Sequence, residues 1–204
     1  MKQKLILFAI TFFTLQQLLA QTFGTPTPTV NPILGTGGNV GPYSSLQVVA
    51  NNPAMSYLDA TRLDLVYVRA NDVAGTSWGT PVSIDIVGDV GRFSSLQIAN
   101  GNPAIAYYDN TNQDLKYVRA LDALGTTWGT PVSIDVTGNV GQYASLQIIN
   151  GNPAIAYYDQ TNNKVKYVRA TDASGTAWIT PVSIDAGVGQ FTSLQIVNGN
   201  PAIS

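Results

Sequence analysis

Apolar and polar residues alternate along this chain in short runs, each closed by a turn-forming group. Across Asp114–Ala120, Leu115, Tyr117 and Arg119 fall on one side, and Lys116, Val118 and Ala120 on the other. A period of two is that of a β-strand, whose successive side chains point to opposite faces. The neighbouring runs read the same way. Ser95–Ala99 is a short β-prone stretch. Pro103–Asp109 (PAIAYYD) opens with a proline at a strand's first position, where a missing donor is tolerated. In Trp128–Asp135 (WGTPVSID), Trp128, Val132 and Ile134 share a parity. Between the runs lie Asn100-Gly101, a tight-turn pair that accepts positive φ cheaply, the polar turn Asn110–Gln113, and the loop Asp122–Thr127. Beyond the amino-terminal segment no stretch sustains a helical period.

This unit of four runs repeats. Gly91–Asp135 and Gly141–Asp185 are identical at 33 of 45 positions, an earlier copy starts at Gly41, and a fourth runs from Gly189 to Ser204. Four short antiparallel strands about every fifty residues predict an all-β chain of β-propeller blades. The expected layout is blades at 41–90, 91–140 and 141–188, with a partial blade at 189–204. Residues 22–40 are expected to be an opening outer strand and linker, because Thr22–Pro26 echoes Trp78–Pro81. One strand, three blades and half a blade predict an incomplete ring. It is either a fragment of a longer propeller or a short chain that completes a ring as a homo-oligomer.

Residues 1–21 read as a secretory signal: Lys2 and Lys4, the apolar run Leu5–Leu15, then Leu18-Leu19-Ala20 before Gln21. The run is short for a membrane span of about 20 residues, and Gln16 and Gln17 interrupt it. Secretion or display at the cell surface is expected, with no span left after cleavage. The chain has no Cys, so it carries no disulfide and no lipid-attachment site. Its net charge of −2 offers no basic stripe for a nucleic acid.

The loop between the third and fourth runs carries the most specific pattern: Asp72, Gly75, Thr76 and Trp78, then Asp122, Gly125, Thr126 and Trp128, then Asp172, Gly175, Thr176 and Trp178. An Asp side chain can accept backbone N–H groups and fix the turn, Gly permits the reversal, and Trp buries apolar area against the neighbouring blade. The pattern resembles the Asp-box, or bacterial neuraminidase repeat, of sialidase-like propellers, Ser/Thr-x-Asp-x-Gly-x-Thr-Trp. It departs in having Ala70, Ala120 and Ala170 at the leading position and one extra residue between Asp and Gly. The resemblance spans residues 22–204 and implies a propeller whose loops staple its blades.

In that family an arginine triad grips the substrate carboxylate, a Tyr activated by Glu is the nucleophile, and an Asp is the acid/base. This chain has no Glu. Arg69, Arg119 and Arg169 hold one place in three copies and cannot converge on a substrate. They are expected to pair between blades or loops, with Asp85, Asp135 and Asp185 as partners. The absence of His and Cys excludes Ser-His-Asp and Cys-His chemistry. Near-identical repeats offer equal carboxylates, where glycoside hydrolysis needs unequal ones. No metal or cofactor is expected: each loop supplies one carboxylate against six to eight oxygens for calcium, and Lys164 stands where Asp114 stands.

These points predict a chain that is not an enzyme but a secreted or cell-surface binding or adhesion protein, with a glycan or surface polymer as partner. The alternative is a fragment of a sialidase-like glycoside hydrolase whose catalytic residues lie outside this chain. Tyr57, Tyr107, Tyr108, Tyr157 and Tyr158 are expected to pack between blades. The candidate ligand contacts are positions that differ between copies: Arg62, Arg92, Leu121, Gln142 and Ile179.

Overall fold

The computed structural model describes residues 41–186 and 189–204. The expected signal and opening strand, over 1–40, lie outside the described residues. No described residue is helical, and so no helix among them is long and apolar enough to cross a membrane.

Each copy folds as an antiparallel sheet whose strands lie in sequence order. The first holds β1 (Ser45–Val49), β2 (Asn52–Asp59), β3 (Asp64–Arg69) and β4 (Val82–Asp85). The second holds β5 (Val90–Ala99), β6 (Asn102–Asp109), β7 (Asp114–Arg119) and β8 (Val132–Asp135). The third holds β9 (Val140–Ile149), β10 (Asn152–Asp159), β11 (Lys164–Arg169) and β12 (Val182–Ala186). A two-stranded sheet follows, β13 (Leu194–Val197) and β14 (Asn200–Ile203). Register repeats with sequence: Ala54 faces Arg69, Ala104 faces Arg119, and Ala154 faces Arg169.

The cores lie between sheets. Leu65 and Tyr67 of the first sheet pack with Leu96, Ile105 and Tyr107 of the second. Leu115 and Tyr117 of the second pack with Leu146, Ile155 and Tyr157 of the third. Central strands are thus covered on both faces. PAIAYYD reads as a nearly continuous apolar run for this reason. Tyr107 and Tyr157 are wholly buried, as packing between blades requires.

Polar links cross the same boundaries. The Ser45 hydroxyl accepts the Leu96 amide at 3.0 Å, Ser95 accepts Leu146 at 3.0 Å, and Ser145 accepts Leu194 at 2.9 Å. Asp85 accepts both the Tyr107 hydroxyl and the Lys116 ammonium of the next sheet at 2.6 Å. Asp135 accepts Tyr157 at 2.7 Å and also Lys166.

Arg69 and Arg119 do not pair with Asp85 and Asp135 as expected. Arg69 donates to the carbonyls of Val49 and Ala50, and Arg119 to those of Ala99 and Asn100. Register explains this. Asp85 pairs with Leu65, four residues along β3 from Arg69, or about 13 Å at a strand's rise per residue. The guanidinium instead meets the carbonyls that its own sheet's β1–β2 turn presents.

Candidate functional site

The first strand of each sheet is preceded or interrupted by an aromatic residue with left-handed backbone: Tyr43 (φ 57°), Phe93 (φ 52°), Tyr143 (φ 54°) and Phe191 (φ 63°). In β5 the pairing with β6 breaks between Arg92 and Ser95, and in β9 the equivalent break lies between Gln142 and Ser145. These bulges turn the rings out of the sheets and toward one another. Ring centroids follow at 4.5, 4.4 and 4.6 Å with interplanar angles of 55°, 47° and 48°. Tyr108 and Tyr158 back the row, 6.2 Å from Phe93 and 6.3 Å from Tyr143. Positive φ costs a bulky residue on the order of 1–3 kcal/mol, and such strain concentrates at working sites.

The four rings line an open groove of about 320 Å³, with Ser44, Ser94 and Thr192 beside them. Ser94 Oγ donates to the Tyr43 carbonyl at 2.7 Å and lies 2.9 Å from Ser56 Oγ. Thr192 makes the equivalent bond to the Tyr143 carbonyl. Phe191 is 76% exposed and Tyr43 38%, while Phe93 and Tyr143 are half-buried. Exposed ring faces with hydroxyls at their edges suit a ligand that has an apolar face and a hydroxylated rim, as a sugar ring does.

Two polar networks flank the row. Arg92 grips Asp89 through Nε (3.1 Å) and Nη2 (2.6 Å), and Asn110 donates to the same carboxylate at 2.9 Å. The Asp89 bonds hold the guanidinium's pKa above its ordinary value. One copy later the same three places are amides. Gln142 donates to Asn139 (3.2 Å) and Gln160 (2.6 Å), and Tyr108 donates to Asn139 at 2.8 Å. Burial raises the Tyr108 phenol's pKa in spite of that bond. An ionic set at one boundary is therefore replaced by a neutral set at the next.

Two further carboxylates at this end are committed to turns. Asp59 accepts two backbone amides and Arg62 Nη1, and Asp109 accepts two amides and the Asn112 side chain. Among the described residues no group of three or more acidic residues is arranged to hold a metal.

The loops at the opposite end are closed circuits. Asp72 accepts the amides of Ala74, Thr76 and Ser77 and the Thr76 hydroxyl, and Trp78 Nε1 donates to the Gly75 carbonyl at 3.0 Å. Asp122 and Asp172 repeat this arrangement. Burial works against ionisation of Asp122, but the bonds from Thr126 and Thr127 outweigh it and hold the carboxyl well below its usual range. Two of the loops staple sheets together. Trp128 meets Tyr67 edge-on at 5.2 Å, and Tyr67 donates to the Leu124 carbonyl at 3.0 Å. Trp178 and the Ser174 carbonyl take Tyr117 in the same way.

The five positions singled out by their variation divide between the two ends. Arg62, Arg92 and Gln142 lie at the end of the β2–β3 and β6–β7 turns, and the last two immediately precede Phe93 and Tyr143. Leu121 and Ile179 flank the stapling loops at the other end. Sequence reasoning passed over the aromatic row. Its signal is an aromatic two residues after a glycine in every copy: Gly41-Pro-Tyr43, Gly91-Arg-Phe93, Gly141-Gln-Tyr143 and Gly189-Gln-Phe191.

No protein-family model matches the chain, so the Asp-box resemblance stays at the level of the loop pattern. No curated protein matches it in sequence. Solved structures do match. An exo-β-1,3-galactanase from Phanerochaete chrysosporium aligns with a TM-score of 0.55 and 14% identity, over 78% of this chain and 39% of that one. An ulvan lyase of polysaccharide lyase family PL25 aligns with a TM-score of 0.55 and 13% identity, over 81% and 42%. A GH62 hydrolase solved with xylotriose aligns with a TM-score of 0.55 and 10% identity, over 86% and 60%. The chain thus spans between 39% and 60% of these proteins, and the shared feature is the β-propeller fold.

The expectation that the chain is not an enzyme is corrected by this comparison, because each of these propellers is a carbohydrate-active enzyme. One physical ground for that expectation, the equality of near-identical copies, also fails. A repeated framework does not impose equal environments, as the Asp89–Arg92 and Asn139–Gln142 sets demonstrate.

Proposed function

We propose that the chain is part of a glycan-cleaving β-propeller, with the aromatic row as the surface that holds the sugar chain. The observation that carries this reading is the recurrence, at one place in all four copies, of an aromatic with left-handed backbone, exposed in Tyr43 and Phe191 and half-buried in Phe93 and Tyr143. Four rings in file, with a hydroxyl beside most of them, form a track along which successive sugars can stack. Of the described carboxylates at this end, Asp59 and Asp109 are tied into turns, and Asp85, Asp89 and Asp135 are each held by a lysine or an arginine. The acid and base that cut the glycosidic bond are therefore assigned to residues outside those described, in a ring with further blades. In this reading the copies at 41–90, 91–140, 141–188 and 189–204 are successive blades, and residues 1–21 direct export.

The test pairs affinity electrophoresis of the full chain in gels containing galactan, arabinoxylan or ulvan with reducing-end release by the complete gene product. One of the polymers is expected to retard the chain and to be cut. Phe93→Ala with Tyr143→Ala should abolish retardation while the far-ultraviolet spectrum is kept. Retardation unchanged by the double substitution would remove the row from the reading, and absence of both retardation and cleavage across the panel would remove the reading itself. Amino-terminal sequencing of exported protein should begin near Gln21.

A further inference from the structure

A second kind of cavity lies on the stapling-loop end, at the boundaries between sheets. One, of about 310 Å³, is lined by Tyr67, Arg69, Asn71, Thr80, Leu124 and Thr126. Another, of about 250 Å³, is lined by Tyr117, Arg119, Leu121, Thr130, Ser174 and Thr176. Adding fifty to each number of the first set gives the second. The two cavities are one site built twice, from β3 and β4 with the next loop, and from β7 and β8 with the loop after.

The lining separates into fixed and varied parts. Tyr, Arg and two Thr are the same in both. Asn71 and Leu124 wall one cavity, whereas Leu121 and Ser174 wall the other, so each has one leucine and one small polar residue on exchanged sides. The arginine supplies charge. Arg69 and Arg119 donate Nε and Nη2 to turn carbonyls, and among the described residues neither lies within 4.0 Å of a carboxylate. Their Nη1 groups make no described hydrogen bond. Asp122 and Asp172 act on the cavity tyrosines Tyr67 and Tyr117, and the carboxylate oxygens of both accept bonds from their own loop.

We propose that each of these boundary cavities binds a single sugar residue bearing an acid group, carboxylate or sulfate. The guanidinium takes the acid, the threonine hydroxyls take ring hydroxyls, and leucine covers the apolar face. Two equivalent weak sites on one rigid frame would hold an acidic polysaccharide by avidity at an end remote from the aromatic row.

The experiment is a ligand-observed NMR titration of the full chain with methyl glucuronide, galactose 6-sulfate and methyl glucoside. Either acid is expected to bind at two sites per chain, and whichever binds identifies the acid group; methyl glucoside should bind at least tenfold more weakly. Leu121→Trp should remove one site, and Leu121→Trp with Leu124→Trp should remove both. These leucines are 67% and 44% exposed, so the fold tolerates the change. Phe93→Ala should leave this binding intact, which separates it from the aromatic row. Equal binding of the neutral glycoside, survival of binding in the double variant, or no binding of either acid would overturn the proposal.

Discussion

Gly125 shows how one residue decides whether two sheets can lock. Its φ is 75°, and a Cβ there would stand 2.6 Å from Cε1 of Tyr67. Gly175 meets Tyr117 at the same 2.6 Å. Both the left-handed backbone and the tyrosine face forbid a side chain. Gly125→Ala is expected to cost more than about 2 kcal/mol in urea unfolding, because it strains the turn and displaces the ring together. Tyr67→Phe removes only the hydroxyl's bond to the Leu124 carbonyl and should cost about 1 kcal/mol. Similar losses for the two substitutions would contradict the steric account. The Asp-Gly-Trp loop was legible in sequence because its side chains bond within nine residues of one another. Its tyrosine socket, 57 residues away from Leu124, was not.

Strand pattern was readable for a related reason, since alternation reflects burial on faces that every copy shares. The first strands were read short. Ser95–Ala99 is the tail of β5, which begins at Val90 and passes through a bulge. Residue type alone does not mark the bulge, because aromatic residues do not favour positive φ; the glycine two residues before each aromatic shows its place only when the copies are aligned, and the bulge itself exists only relative to β6. The hairpin turns make the opposite case. Asn100 (φ 46°) and Gly101 (φ 81°) hold the left-handed pair that their types favour, but the first copy has Ala50 (φ 44°) and Asn51 (φ 69°) there. Ala50→Asn should therefore stabilise the protein by about 0.5–1 kcal/mol. Thermal unfolding should rise by roughly 1–4 °C. No rise would mean that Ala50 carries no strain.

Between whole blades, charge is buried where sequence placed none. Lys116 and Asp85 are 14% and 5% exposed, and Lys116 also lies 3.6 Å from Asp109. Burial pushes the Asp85 carboxyl up, but the Lys116 ammonium and the Tyr107 hydroxyl outweigh it and leave the pKa below 3.8. A carboxyl lowered by folding stabilises the protein above its unfolded value, near pH 4, and that contribution fades as pH falls through the folded value. Lys116→Met strands the carboxylate and should cost about 3 kcal/mol at pH 7. The deficit should narrow as pH falls toward 3, because the stranded carboxyl of the variant takes up a proton while the wild type begins to lose the contribution of its paired carboxylate. Urea unfolding at the two pH values measures this, and a constant gap would discount the pair. Val66 occupies the corresponding place in the first copy, so a lysine read alone in Lys116 gave no hint of a partner 31 residues back.

The staple between sheets also has a direction. Tyr67 precedes the loop that covers it, and Tyr117 precedes its own. A chain made from its amino end and threaded outward in that order always completes the tyrosine before the loop arrives. Each newly emerged segment therefore closes onto a surface that is already built, and the array can grow vectorially.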